Sequence, residues 1–334
     1  MSGTALLVCI LPVAVFLGAL VFVDSYKLVR LRLVLGVVGA GALAAAAAYA
    51  ANGALLSATG WQESTYSRLV APFVEELLKG LVVLLLARTH RIAFLVDAAI
   101  LGFAAGAGFA MVENAYYLQS YPASAMGLWI VRGFGTALMH GGATALLAVA
   151  GMALQSGAGA ATALRFVPGY LAAVALHSTF NHFADRPLVA AIGTALLLPI
   201  LLHVAFERSE RAVGQWLGQG FDADAEMLEL IHSGRLSDSH VGSYLQSLKS
   251  RFHGPVVADI LCYIRLYTEL ALRAKGILIM RENGFEAAPD EPTRAKFEEM
   301  RYLERSIGAT GLRAVRPMLH ISQKELWQMY MLDK

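Results

Sequence analysis

Seven apolar segments of 18 to 27 residues fill the first two-thirds of this chain, and their length limits what it can fold into. They run Thr4–Val23, Leu33–Ala51, Leu69–Ala87, Phe94–Ala115, Leu128–Leu154, Phe166–Phe183 and Pro187–Phe206. A helix needs about 20 apolar residues to cross the hydrocarbon core of a bilayer. Inside that core the backbone must satisfy its own hydrogen bonds, which restricts the choice to helices or a closed barrel, and runs of this length select helices. Charge agrees: 16% of the residues are charged, against an average of about 25%, and the deficit falls between Leu33 and Val204. From Glu207 to Lys334 charged and apolar residues alternate as they do in helices exposed to water. The expected fold is therefore all-α, a polytopic transmembrane bundle of about seven spans with a C-terminal cytoplasmic helical domain. The boundary is placed between a membrane domain at 1–212 and a cytoplasmic domain at 213–334. A net charge of +2 without a basic helix excludes nucleic acid as a partner. Cys9 and Cys262 stand in different regions, so no disulfide framework follows.

The connecting loops set an orientation. Lys27, Arg30 and Arg32 follow the first segment, Arg88 and Arg91 the third, Arg165 the fifth, and Arg208 and Arg211 the seventh. The alternate loops hold only Arg68 and Arg186, each near an acid, Glu63 and Asp185. Basic clusters mark the cytoplasmic side, so the N-terminus is expected outside and the C-terminus in the cytoplasm. The first segment lacks a basic leader and exceeds the 7–15 apolar residues typical of a signal peptide; it reads as a retained span.

Polar residues interrupt these spans where hydrocarbon is expected. Pro72-Phe73-Val74-Glu75-Glu76-Leu77-Leu78-Lys79 puts two carboxylates and an amine into the third. Each ionisable group near a bilayer centre costs at least about 2.5–3.5 kcal/mol, so the cluster needs a reason. Glu113 and Asn114 interrupt the fourth span, His140 the fifth, and His177, Asn181 and His182 the sixth. These residue types carry acid–base or metal-assisted hydrolysis. On the expected topology they gather between mid-membrane and the outer face, with Glu75/Lys79, Phe109/Glu113 and His177/Asn181 each sharing a helix face at i,i+4. Structural readings stand beside the chemical one. Glu75 with Lys79 forms a self-neutralising pair that leaves Glu76 unexplained, Asn114 suits a helix cap, and a lone His140 suits an interhelical hydrogen bond. His182 falls off the His177 face and reads as structural. Gly102, Gly106, Gly108, Gly141 and Gly142 provide the small surfaces that let membrane helices approach closely.

The chain resembles the PrsW-type intramembrane proteases, which are related to the CAAX prenyl endopeptidases. Glu75-Glu76-Leu77-Leu78-Lys79 is similar to that family's EExxK motif, and Phe109-Ala110-Met111-Val112-Glu113-Asn114 to its second. The isolated His140 is similar to the third, and His177-Ser178-Thr179-Phe180-Asn181 to the fourth. The wider group carries EExxxR and FxxxH, whereas here a lysine stands one residue closer and Glu113 takes the second-motif position. The resemblance covers roughly Pro72 to His182. It implies an intramembrane endopeptidase of the glutamic type in a bacterial plasma membrane, with Glu75 as general base and Glu76 as its supporting carboxylate. Lys79 would hold the charge of that pair, His140 would polarise water or protonate the leaving amine, and His177 with Asn181 would face the oxyanion. Glu113 and Asn114 would orient these groups. The implied substrate is a single-pass membrane protein, such as an anti-sigma factor cut at its first site near the extracytoplasmic face.

Two alternatives stay open. No cofactor is expected with glutamate-activated water, but His140, His177 and Glu75 also make a His₂Glu set of the kind that binds catalytic zinc. The same Glu, Lys and His residues would serve a proton-coupled transporter, although no second EExxK-like element marks a repeat, or they would be relics in a non-catalytic membrane scaffold. Beyond the spans, helical patterns at Asp222–His232, Ser237–Arg251, Pro255–Glu282, Thr293–Ile307 and Ser322–Met331 carry no nucleophile–base pair. Residues 222–331 are expected either to meet a cytoplasmic partner or to serve as a stabilising appendage.

Overall fold

A computed structural model describes residues 3–121, 123–154, 163–183, 186–315, 318–319 and 327, and among them every regular element is helical. They divide into two compact units, one up to Glu210 and one from Arg211. The first holds α1 (Gly3–Val23), α2 (Leu31–Thr59), the short α3 (Glu63–Leu69), α4 (Ala71–Arg88) and α5 (Leu95–Ser120). Then come α6 (Met126–Val131), a π-helical turn (Arg132–Thr136), α7 (Ala137–Ala153), a 3₁₀ turn (Ala163–Phe166) and α8 (Val167–His182). Among the described residues, five helical stretches are long and apolar enough to cross a membrane: α1, α2, α5, α6 through α7, and α9 (Pro187–His232). The other two expected spans are α4, 18 residues carrying Glu75, Glu76 and Lys79, and α8, which has 16 residues.

The outer faces of this unit are apolar and bare. Leu7, Leu11 and Val15 of α1, Leu35 and Leu43 of α2, and Leu196, Leu197 and Ile200 of α9 are all exposed. Contiguous apolar surface on this scale marks a membrane-embedded protein. The chain is an integral membrane protein.

Helix α5 forms the centre, buried on every side from Val96 to Ala110. It has no bulky side chains at its closest contacts, which is why its neighbours approach so nearly. A Cβ on Gly106 would overlap the His140 carbonyl of α7, and one on Gly108 would overlap the Val38 carbonyl of α2. Gly41 of α2 meets the Ala105 carbonyl in the same way. These contacts fix α2 and α7 on either side of α5 and so set the height of His140. At the other end of the bundle, Asp97 caps α5, accepting from the Ala93 and Phe94 amides at 2.8 and 2.7 Å.

A short helix precedes the third apolar segment. The chain turns at Gly60, whose φ of 65° closes α2 in the left-handed region, and α3 then lies ahead of α4 as a separate short helix. Pro72 sits in the first turn of α4, where its missing N–H costs nothing.

The exit from the seventh segment differs from expectation. Gly214, Gly218 and Gly220 suggest a loosened junction before a separate helix at Asp222, yet α9 continues without a break from Pro187 to His232. A helix-interior glycine costs only about 1 kcal/mol relative to alanine. Burial of Val213 and Leu217 beside those glycines offsets it.

The second unit continues with a 3₁₀ turn at Arg235–Asp238, α10 (His240–Leu248), α11 (Gly254–Glu282) and α12 (Glu291–Val315), the last kinked at Gly308. Ile260, Ile264, Leu270 and Leu278 of α11 and Phe297, Met300 and Leu303 of α12 are buried. Ion pairs join Lys275 to Asp224, Lys296 to Glu269 and Arg273 to Asp290. The expected helix at Ser322–Met331 lies outside the described residues, Trp327 excepted.

Candidate active site

Four helices bring the polar residues together inside the first unit. Glu76 and Lys79 come from α4, Glu113 from α5, His140 from α7 and His177 from α8. Glu76, Lys79, His140 and His177 are buried. Lys79 Nζ donates to Glu76 Oε1 at 2.6 Å and lies 3.0 Å from His140 Nδ1. His140 Nε2 is 2.8 Å from Glu113 Oε2, and His177 Nδ1 is 2.8 Å from the same Glu76 oxygen that Lys79 holds. The two imidazoles meet edge to face, with ring centres 4.7 Å apart. Phe109 closes one side, its ring 4.7 Å from Lys79 Nζ.

The donors and acceptors assign the tautomers. An ammonium has only donors, so His140 Nδ1 accepts from Lys79 and Nε2 carries the proton given to Glu113. Glu76 accepts only, so His177 donates from Nδ1, and in the neutral ring its Nε2 then keeps a lone pair. That lone pair faces Glu75 Oε2 across 3.8 Å.

The i,i+4 spacing pointed to a Glu75–Lys79 pair, but Lys79 takes Glu76 at i,i+3. Adjacent residues on a helix point about 100° apart. Glu76 therefore faces the bundle interior with Lys79, and Glu75 turns towards α2. There its Oε1 accepts from Asn52 Nδ2 at 3.1 Å, and Asn52 Oδ1 accepts from the Tyr66 hydroxyl at 3.0 Å.

Arg132 completes the charge pattern. Its guanidinium lies 3.3 Å from Glu113 Oε1, donates through Nε to Asn114 Oδ1 at 2.9 Å, and stacks 3.7 Å from the centre of the Tyr117 ring. Asn114 also donates to the Cys9 carbonyl of α1 at 3.3 Å. Three carboxylates thus meet two cations: Arg132 pairs with Glu113 and Lys79 with Glu76. Glu75 is left with a neutral amide and the His177 lone pair. Sequence reading passed over Arg132, Asn52 and Tyr66. Arg132 had a signal, since it is the only Lys or Arg between Leu128 and Leu154, and an intramembrane cation needs a partner.

Asn181 and His182 are not part of this cluster. Asn181 Nδ2 donates to the Ser67 carbonyl at 2.8 Å, beside a Ser178–Arg68 carbonyl bond at 2.6 Å, so both tie α8 to α3. His182 Nδ1 lies 2.7 Å from the Ser178 carbonyl.

A cavity of about 730 Å³ reaches the cluster from one side. Above the tight Gly41 and Gly108 contacts, it lies between the second half of α2 and the end of α5, under α3. Ala48, Asn52, Tyr66, Glu75, Glu113 and Tyr116 line it. Of the cluster, only the side chains of Glu75 and Glu113 keep appreciable exposure, at 15% and 25%. The other charged and imidazole groups stand behind them.

A polytopic helical bundle with a buried Glu, Lys and His cluster behind a carboxylate-lined cavity has the parts of an intramembrane hydrolase. The family model described as PrsW family intramembrane metalloprotease matches residues 29–207, more than half of the 334 residues. The chain belongs to the PrsW family, and the matched range contains every residue of the cluster, Arg132 and Asn52 included. Helix α1 and the second unit fall outside it. No curated protein and no solved structure matches the chain.

The family description implies a metal, and the residues can be tested for one. Glu75, His140 and His177 each offer a ligand atom within 4.8 Å of the others. Both histidines also set a carboxylate against their second ring nitrogen, Glu113 for His140 and Glu76 for His177, as metal-binding histidines do. Donor types and outer partners therefore fit a divalent cation. Lys79 is the competing group, because its amine holds the His140 nitrogen that would turn towards the metal.

Proposed function

We propose that the protein is an endopeptidase in which Glu75 activates water against a peptide bond of a single-pass membrane protein. The observation that carries this reading is the charge pairing: once Arg132 takes Glu113 and Lys79 takes Glu76, Glu75 is the carboxylate without a cation, and it faces the cavity. A general base needs an accessible carboxylate held in position. Asn52 holds this one, while the cavity leaves it open.

The gap between Glu75 and His177 suits water. Two acceptors 3.8 Å apart repel unless a donor or a cation stands between them. A water molecule that donates one hydrogen to each turns its oxygen lone pair towards the cavity. Glu75 accepts a proton as that oxygen adds to the scissile carbonyl, then returns the proton to the departing amine. Glu76 supports the step by fixing His177 with Nε2 unprotonated. Lys79 keeps Glu76 ionised. Asn181 is not carried into this mechanism as an oxyanion donor, because its amide is engaged by the Ser67 carbonyl.

The second reading rests on the triad that fits a divalent cation. Glu75, His140 and His177 would hold it, and it would supply a Lewis acid for water and for the scissile carbonyl.

The side of cleavage follows from the loop charges. Lys27, Arg30, Arg88, Arg91 and Arg165 lie at the end of the bundle opposite Glu75, so the positive-inside rule puts the cavity towards the extracytoplasmic face and the C-terminal unit in the cytoplasm. The membrane is a bacterial plasma membrane, and an anti-sigma factor is the substrate class that the motif resemblance implies. The C-terminal helices serve a cytoplasmic partner.

Comparative proteomics of membranes carrying wild-type or Glu75→Gln protein tests the reading. At equal abundance, the variant loses a cleavage product that the wild type generates. Unchanged cleavage in a folded Glu75→Gln protein removes Glu75 from the chemistry.

A further inference from the structure

Arg132 enters the bundle by an unusual route. The π-helical turn at Arg132–Thr136 interrupts an otherwise regular helix from Met126 to Ala153. In an uninterrupted α-helix, residues eight apart differ by about 80° in direction. A π-bulge acts as a one-residue insertion, which brings Arg132 and His140 to within about 20° of a common face. That face meets α5. The two side chains reach opposite oxygens of one carboxylate, Arg132 at Glu113 Oε1 and His140 at Glu113 Oε2. Two glycines let the bulge fit: a Cβ on Gly133 would overlap the Val8 carbonyl of α1, and one on Gly135 would press on Ala191 of α9.

The guanidinium has little freedom. Its Nε is bonded to Asn114, Asn114 is bonded to the Cys9 carbonyl, and its face covers Tyr117. A guanidinium fixed in this way holds its positive charge 3.3 Å from Glu113 Oε1 and so orients the carboxylate beside it. Glu113 therefore presents Oε2 to His140 as an acceptor, which holds the ring proton on Nε2 and leaves the Nδ1 lone pair for Lys79. With the ring proton on Nδ1 instead, that nitrogen would point an N–H at an ammonium, and Lys79 would have to leave His140.

We infer that Arg132 is a positioning residue of the hydrolytic site, acting through Glu113 to fix the tautomer of His140. This deepens the protease reading and depends on it only for the activity measurements below.

A double-mutant cycle and a spectroscopic arm test the assignment. Both use the full-length protein in detergent, with Arg132→Gln, Arg132→Lys, Glu113→Gln and the Arg132→Gln/Glu113→Gln double variant. Loss of an outer partner that orients a site histidine costs about 10–100-fold. Arg132→Gln should lower kcat by that factor at unchanged KM, and Arg132→Lys should recover part of it. In the Glu113→Gln background, Arg132→Gln should change kcat by less than about twofold, because the group it works through is already gone. Equal losses in both backgrounds overturn the assignment.

The second arm reads the tautomer directly and needs no substrate. In ¹⁵N-histidine spectra, with the His140 signals identified by their loss in His140→Asn, the wild type should show a protonated Nε2 and an unprotonated Nδ1. In Arg132→Gln both resonances should move. Unmoved His140 resonances in a folded Arg132→Gln protein overturn the inference whether or not cleavage has been observed. A wild type with the expected tautomer but no proteolytic activity would refute the proposed function and leave the role of Arg132 standing.

Discussion

Lys79→Met should destabilise the membrane unit by about 3–5 kcal/mol, the cost of leaving one partner of a buried ion pair alone. The magnitude follows from where Lys79 sits. Both side chains of the Lys79–Glu76 pair have no exposure, and they meet at 2.6 Å. At an effective dielectric of about 20, two unit charges at that distance attract by about 6 kcal/mol, part of which desolvation has already consumed. Solvent cannot screen the loss, because neither group reaches it. Methionine fills most of the volume and keeps the contact with Phe109, so a cavity is a minor contribution.

The assay is reversible unfolding in mixed micelles, with detergent denaturant and helical circular dichroism as the signal, on wild type, Lys79→Met, Glu76→Gln and the double variant. Replacing the ion pair by neutral groups removes the stranded charge, so Lys79→Met/Glu76→Gln should regain at least about half of the single variant's loss. His140 also loses a donor on Nδ1, which keeps the double variant short of wild type by roughly 1–3 kcal/mol. Refutation takes one of two forms. A Lys79→Met loss below about 1 kcal/mol would mean that Glu76 has another way to be neutralised. A double variant as unstable as the single would mean that Lys79 acts through packing and that the charge pairing assigned to the site is wrong.

Gly106→Ala should reduce both stability and cleavage, since its Cβ would strike the His140 backbone carbonyl; overpacking of this kind costs about 1–3 kcal/mol. Gly39→Ala, whose Cβ meets nothing within 4 Å, is the control and should be neutral or slightly stabilising in the same unfolding assay. If water activation rests on Glu75 alone, protein purified without added metal should retain full cleavage in chelator; stoichiometric metal together with chelator-sensitive activity would decide for the second reading. Mass-spectrometric mapping of product termini should place the cut at or just outside the extracytoplasmic boundary of the substrate, where water satisfies the carbonyls of an unwound segment. A cut in the cytoplasmic half would reverse the orientation drawn from the loop charges.

The bundle was legible in the sequence because the solvent imposes it: twenty apolar residues have few other fates, and the small residues of α5 indicated how closely its neighbours would pack. The cluster was legible for a related reason, since Glu75, Glu76, Lys79, Glu113, His140 and His177 are costly in hydrocarbon and their cost singles them out. The pairing among them was not readable from spacing. Lys79 sits within reach of both Glu75 and Glu76 on a helix surface, and the choice is made by His177, which approaches Glu76 from a helix about a hundred residues away. Arg132 was missed because it stands near a span boundary, where snorkelling to water would explain a cation; the π-turn that swings it inward leaves no mark in hydrophobic periodicity. Asn181 shows the converse. It shares a face with His177 by i,i+4 spacing, yet the turn between them carries it past the cluster to the α3 carbonyls. Periodicity assigns a residue to a face, and in this bundle the partner on the facing helix then decides whether that residue joins the charge network or pins the fold around it.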